Sequence, residues 1–295
     1  MYNAVAKNKR NTVVIFIIFF LIIGGLGWLA SYIYKDWTIV VFVMAFATIY
    51  AFIQYFVAGR IAVSMNGGKE ISRETNSELY GSVNILATNF GIPMPRVFVI
   101  DDPSPNAFAT GRNPKKSMIV VTTGLMNKLD RREVKAVLAH EMSHVKNYDI
   151  LVNVIVFGLV SAIGMICDLM WRMAFFGRNS RDSSPIMLVF GLIGFILAPI
   201  VAALVQLALS RQREYLADTS SVLTTRDPEG LVLALEKIKK INIPVQRQNT
   251  STDHLWFSSS LKKDGFLAHL FSTHPPIEKR IERLRNTNSE KASKM

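Results

Sequence analysis

Three stretches of this 295-residue chain run long without a charge: Val13 to Tyr34 (22 residues), Trp37 to Gly59 (23) and Ile186 to Ser210 (25). Each reaches the roughly 20 residues that a helix needs to cross a hydrocarbon core about 30 Å thick. Composition points the same way, with half the residues apolar, only 19% charged and a mean hydropathy of +0.26. These values exclude a soluble globular enzyme and a disordered chain. The single Cys167 has no internal partner, which excludes a secreted disulfide scaffold as well. Net charge is +12. In a membrane protein that excess belongs beside the cytoplasmic ends of the spans and anionic lipid, and with no aromatic-and-basic recognition motif the sequence predicts no nucleic-acid partner.

The runs divide the chain. Residues 1–12 read as a cytoplasmic amino-terminus whose Lys7, Lys9 and Arg10 precede the first span. Residues 13–59 read as a transmembrane hairpin, too long for a secretory signal, with Trp28, Tyr32, Tyr34 and Trp37 as an interfacial belt at its tip. Residues 60–149 have the composition of a soluble module. It contains a helix from Ser77 to Phe90, strands at Arg96 to Ile100 and Met118 to Thr122, and a helix opened by Asp130 with Glu133 closing a capping box. Residues 150–210 form a second hairpin. Its first limb, Leu151 to Cys167, spans only if Asp168 and Arg172 pair or snorkel at the far interface, and Pro199 is expected to distort the second. Residues 211–285 return to soluble composition, with a helix from Pro228 to Ile241 and an amphipathic helix after Pro275 and Pro276. Residues 286–295 read as a disordered tail. The expected fold is thus an α-helical integral membrane protein of about four transmembrane helices carrying a cytoplasmic α+β domain.

The chemistry sits in the capped helix as His140-Glu141-Met142-Ser143-His144, an H-E-x-x-H. Residues four apart on a helix share a face, so both imidazoles can meet one Zn²⁺ while Glu141 lies beside the metal's open position. Three protein ligands leave a fourth position for water, lower its pKa toward about 7, and leave Glu141 to take the proton during attack on a peptide carbonyl and pass it to the leaving amine. Two histidines alone underhold such a metal. Glu214, with Asp218 four residues on and on the same helical face, is the candidate third ligand; one carboxylate can bind metal while the other fixes a ligand histidine's tautomer. A solvated charged helix end, with Arg211 and Arg213 beside Glu214, is the competing reading. Position favours the ligand, because a hairpin of two spans returns its ends to one side and brings His144 and Glu214 together at the cytoplasmic membrane surface.

The segments H-E-M-S-H-V-K-N-Y-D (His140 to Asp149) and R-E-Y-L-A-D (Arg213 to Asp218), with P-S-P-N-A-F-A-T-G (Pro103 to Gly111) and S-T-H-P-P (Ser272 to Pro276), resemble the HtpX branch of membrane-embedded zinc metalloproteases, a superfamily that includes the CAAX prenyl endopeptidases. The resemblance covers nearly the whole chain. It implies a zincin-like domain holding one Zn²⁺ through His140, His144 and Glu214, with Glu141 as general base and Asp218 supporting a ligand. It implies a multi-pass protein of the bacterial inner membrane, its active site facing the cytoplasm. There it would hydrolyse misfolded or damaged membrane proteins in a stress response and contact other quality-control proteases. It also implies that Asn106, Ala107, Phe108 and Ala109 form an edge strand for the substrate backbone, and that His274 faces the cleft. An exposed edge with small alanines suits strand addition by an extended peptide, although without the resemblance an ordinary inter-strand loop is the simpler reading. Asn147 and Asp149 read as a cap or anchor where the helix meets the membrane.

Two alternatives stay open on sequence. A prenyl-protein peptidase would use the same zinc chemistry in a broader lipid-lined chamber. A non-enzymatic metal receptor or transporter would need acidic residues in its spans, where Asp168 stands alone. Topology holds one conflict: the Gly177 to Pro185 loop carries Arg178 and Arg181 against Asp182, a balance that favours the cytoplasm, whereas four spans put it outside.

Overall fold

A computed structural model describes residues 2–159, 161–162, 211–241, 243–246, 255–257 and 275–292. Two long helices open the chain, α1 (Tyr2–Tyr34) and α2 (Thr38–Met65), turning at Asp36, whose carboxylate accepts hydrogen bonds from the Thr38 amide and hydroxyl. Within them Val5–Trp28 and Thr38–Met65 are long and apolar enough to cross a membrane. Their outer faces carry Leu21, Phe42, Phe46 and Phe52 largely exposed, a surface that water would penalise and lipid would not.

Beyond α2 the chain forms a four-stranded sheet in the order β1 (Lys69–Ile71), β2 (Arg96–Ile100), β4 (Ser117–Thr122), β3 (Ala107–Gly111). β2 and β4 are parallel; β1 and β3 are antiparallel to their neighbours. Strand alternation sends side chains to two buried faces. Val97, Ile119 and Val121 join a core with α3 (Ser77–Phe90), α5 (Arg131–Lys146) and α8 (Pro228–Ile241). Phe98, Val120 and Met118 face the foot of α2, Ala58 and Ala62, and Val154 and Phe157 from α6 (Asp149–Leu159). The sheet is therefore the plate on which the hairpin stands. Gly59 permits the close approach, since a Cβ there would lie 3.3 Å from the Gly111 amide nitrogen.

Local signals explain the helix ends. Asn76 caps α3 by accepting from the Leu79 amide, and Gly91 ends it in the left-handed conformation at φ 65°. α5 begins with the reciprocal Asp130–Glu133 capping box, and the short α4 (Thr123–Lys128) is capped by Thr122. α6 packs Val152, Ile155 and Val156 against Ile15 and Phe19 of α1 and Ala51 of α2, so the described part of the third apolar run is a partner of the first hairpin. α7 (Arg211–Thr225) and α9 (Ile277–Ala292) complete the described elements.

Two expectations differ from what is found. The backbone stays helical to Ala292, past Asn286, where a disordered tail is expected. Extending an already nucleated helix costs less than starting one, which carries it through the weak formers Asn286 to Ser289 to the better formers Glu290, Lys291 and Ala292. β3 lies at the sheet edge, yet all five of its residues are buried, so the expected exposed edge is covered. Cys167, Asp168, Arg172, the Gly177 to Pro185 loop, the fourth apolar run with Pro199, and His274 lie outside the described residues.

Candidate metal centre

α5 places His140 and His144 one turn apart on its inner face, both buried, and α7 crosses it with Glu214 and Asp218 also buried. The crossing is close: the Ser221 hydroxyl donates to the Ala136 carbonyl at 2.7 Å. His140 Nε2 and His144 Nε2 stand 3.2 Å apart, and each is 3.6 Å from a Glu214 carboxylate oxygen. Two zinc–ligand bonds of about 2.1 Å at a tetrahedral angle separate their donor atoms by about 3.4 Å, so these separations fit one zinc ion. Among the described residues this is the one triad of such side chains whose donor atoms converge.

The remaining ring nitrogens are also held. His140 Nδ1 lies 2.9 Å from Asp218 Oδ1, and His144 Nδ1 lies 2.8 Å from Asp149 Oδ2. Each carboxylate fixes its imidazole with Nε2 turned toward the other ligands. Arg280 of α9, buried at 1% exposure, pairs through two nitrogens with Asp218 and sets Nη2 3.3 Å from His140 Nδ1. Its guanidinium lies 4.7 Å from the ring centroid of Phe257, whose ring in turn meets His140 edge-on at 5.0 Å.

Electrostatics follow from this packing. Burial opposes ionisation of Asp218, but the adjacent Arg280 charge and the His140 hydrogen bond outweigh it and hold the carboxyl at about 2. Burial likewise opposes charge on His144, and the Asp149 hydrogen bond with the carboxylates of Glu214, Asp149 and Glu141 overcomes it, raising the imidazole to about 9. His140 moves up for the same kind of reason, through Asp218 and Glu214. The centre is thus rich in negative charge and receptive to a cation.

Glu141 reaches β3, where its Oε2 accepts the Ala109 amide at 2.9 Å. Thr122 donates to the Asn106 carbonyl, and antiparallel alternation then turns the backbone of Ala107 and Ala109 away from β4. The chain covers that edge itself: the Phe257 amide donates to the Ala107 carbonyl at 2.8 Å, and Trp256 packs edge-on against Phe108. Asn106 is buried and its side chain accepts from the Ala107 amide. The structure therefore gathers His140, Glu141, His144, Glu214, Asp218 and the Asn106–Ala109 segment at one place. Sequence reasoning missed Arg280 and the role of Asp149. Arg280 sits one helical turn into an amphipathic helix where an arginine reads as solvated, and nothing local marks it.

A known family covers the same stretch of chain. Peptidase family M48 matches residues 73–288, most of the chain and all of the centre. The chain belongs to peptidase family M48. M48 relatives named Protease HtpX homolog include one from Tropheryma whipplei (strain Twist), 48% identical over 98% of this chain and 99% of its own length. Others from Streptococcus gordonii and Listeria monocytogenes are each 42% identical over 97% of this chain and 99% of theirs. The crystal structure of S. mikatae Ste24p shares the fold at 22% identity and TM-score 0.53, covering 96% of this chain and 67% of that one. This M48 chain is a zinc metalloprotease with membrane-type helices at its amino-terminus.

Proposed function

We propose that the chain is an HtpX-type endopeptidase of a bacterial inner membrane, cleaving misfolded or damaged membrane proteins at the cytoplasmic surface. The observation that carries this reading is the convergence of the His140, His144 and Glu214 donor groups at separations of 3.2 to 3.6 Å, with Glu141 one hydrogen bond from a sheet edge. His140, His144 and Glu214 hold the zinc. A zinc ion held there would supply a Lewis acid for the scissile carbonyl and the attacking water. Glu141 takes the water's proton and returns it to the leaving amine. Asp218 and Asp149 keep the histidines in the tautomer that presents Nε2. A substrate strand laid along β3 takes the Ala107 and Ala109 backbone groups that Phe257 and Glu141 now occupy.

Four spans would put residues 1–12 and both halves of the metal centre in the cytoplasm, a reading supported by Lys7, Lys9 and Arg10 at the amino-terminal end of the first apolar helix and Arg60 near the end of α2. His274 would face the cleft from the Ser272 to Pro276 segment. The test uses full-length, zinc-loaded protein in lipid nanodiscs, offered an unfolded membrane protein and a prenylated peptide in parallel. Cleavage of the membrane protein is expected; cleavage of the prenylated peptide alone would contradict the assignment. Labelling Asn179→Cys from each side of the membrane tests the topology, with modification expected only from outside.

A further inference from the structure

α1 does more than anchor. Asn8 lies near its start, between the exposed Lys7 and Lys9, and is itself 2% exposed. Its amide spends both protons on the turn that follows the H-E-x-x-H helix: Nδ2 donates to the Asn147 carbonyl at 2.9 Å and to Asp149 Oδ1 at 2.6 Å. The other oxygen of Asp149 holds His144 Nδ1. A continuous hydrogen-bonded path therefore runs from α1 through one carboxylate to a metal ligand, across 141 residues of sequence between Asn8 and Asp149.

The turn it grips needs holding. Tyr148, between Asn147 and Asp149, has φ 63°, the left-handed region that a bulky residue avoids. Lys9 lies 5.2 Å from the centroid of the Tyr148 ring, so α1 touches all three residues of the turn. Arg213, one residue before Glu214, reaches Asn8 Oδ1 at 3.4 Å and Asp149 Oδ1 at 3.5 Å, joining the strand of contacts to the helix that supplies the third ligand. A buried amide with both protons satisfied by one turn is a positional constraint, because rotating or withdrawing either side strands polar groups out of water.

We propose that Asn8 is a positioning residue for the zinc site: through Asp149 it sets the orientation of His144, so the seating of the amino-terminal helix determines how tightly the site holds its metal. This rests on His144 being a zinc ligand, as assigned above. Loss of a hydrogen-bond partner behind a ligand histidine costs roughly 10- to 100-fold in metal affinity, and Asn8 acts one bond further out, so about tenfold is expected.

The test uses the full-length protein in detergent, with zinc affinity read by competition against a chromophoric chelator and ligand geometry read from the visible absorption of Co²⁺ in the same site. Asn8→Leu should weaken zinc about tenfold and alter the Co²⁺ spectrum. Thr12→Val, which removes a buried hydroxyl that donates to the Asn8 carbonyl within α1, should leave both unchanged. In an Asp149→Asn background, Asn8→Leu should add little, since the path is already cut. Should Asn8→Leu fail to fold, Asn8→Gln keeps the amide but moves it by one methylene, and the same loss is expected. A folded Asn8→Leu or Asn8→Gln protein with wild-type zinc affinity and Co²⁺ spectrum would overturn the proposal. Absence of zinc binding in the wild type, or its persistence in His144→Ala, would instead overturn the ligand assignment.

Discussion

Arg280 and Asp218 show how one buried ion pair serves the chemistry beside it. Asp218 must stay ionised to orient His140, and a carboxylate in so dry a place needs the guanidinium that lies 2.6 Å away. Arg280→Met removes that charge and leaves Asp218 stranded. It should destabilise the protein by about 3 kcal/mol. It should also weaken zinc at least tenfold. Thermal unfolding and metal competition check the two effects, and an unchanged zinc affinity would show that the pair is structural only. The proton balance at His144 gives a second prediction. Its folded value of about 9 lies above the ordinary 6.5, so in the metal-free protein the Asp149–His144 pair contributes fully below pH 6.5 and its contribution fades as pH rises through 9. Zinc must displace that proton, and any that His140 holds, so its affinity should climb by at least about tenfold per pH unit from about pH 6.5 to pH 9. A flat profile from pH 6 to 9 would exclude His144 as a ligand that is protonated in the free site.

At the scale of elements, β3 carries the functional consequence of its register. Ala109 points its amide outward to Glu141, whereas Thr110, one residue on, faces β4. Proline is tolerated only where no ladder hydrogen bond is lost, so Ala109→Pro should fold and bind zinc but lose at least tenfold in kcat/KM, while Thr110→Pro should fail to fold. Circular dichroism, zinc content and peptide cleavage separate these outcomes; full activity in Ala109→Pro would remove β3 from the substrate path. The same elements show what sequence could carry. The ends of α3, β2 and α8 match the local signals of Asn76 and Gly91, of the Arg96 to Ile100 apolar run, and of Pro228, because caps and periodicity act within a few residues. The covering of β3 by Trp256 and Phe257, and the grip of Asn8 on Asp149, join elements more than a hundred residues apart, and no local pattern encodes them. The helix through Ala292 was hidden for another reason: its charged composition suits a solvated helix and a disordered tail equally.

For the whole molecule, the apolar hairpin and the catalytic sheet form one construction. α2 stands on the sheet at Gly59, α6 packs between α1 and α2, and α1 reaches the turn below His144, so the membrane segments buttress the centre as well as locating it. The central claim is that this assembly holds one zinc through His140, His144 and Glu214 while Glu141 alone moves the proton. The most direct measurement compares wild type with Glu141→Gln, both purified full length and assayed for zinc content and proteolysis in the same preparation. The account predicts one zinc per chain in both, cleavage by the wild type that a chelator abolishes, and no cleavage by Glu141→Gln. Cleavage by zinc-loaded Glu141→Gln at the wild-type rate would contradict it.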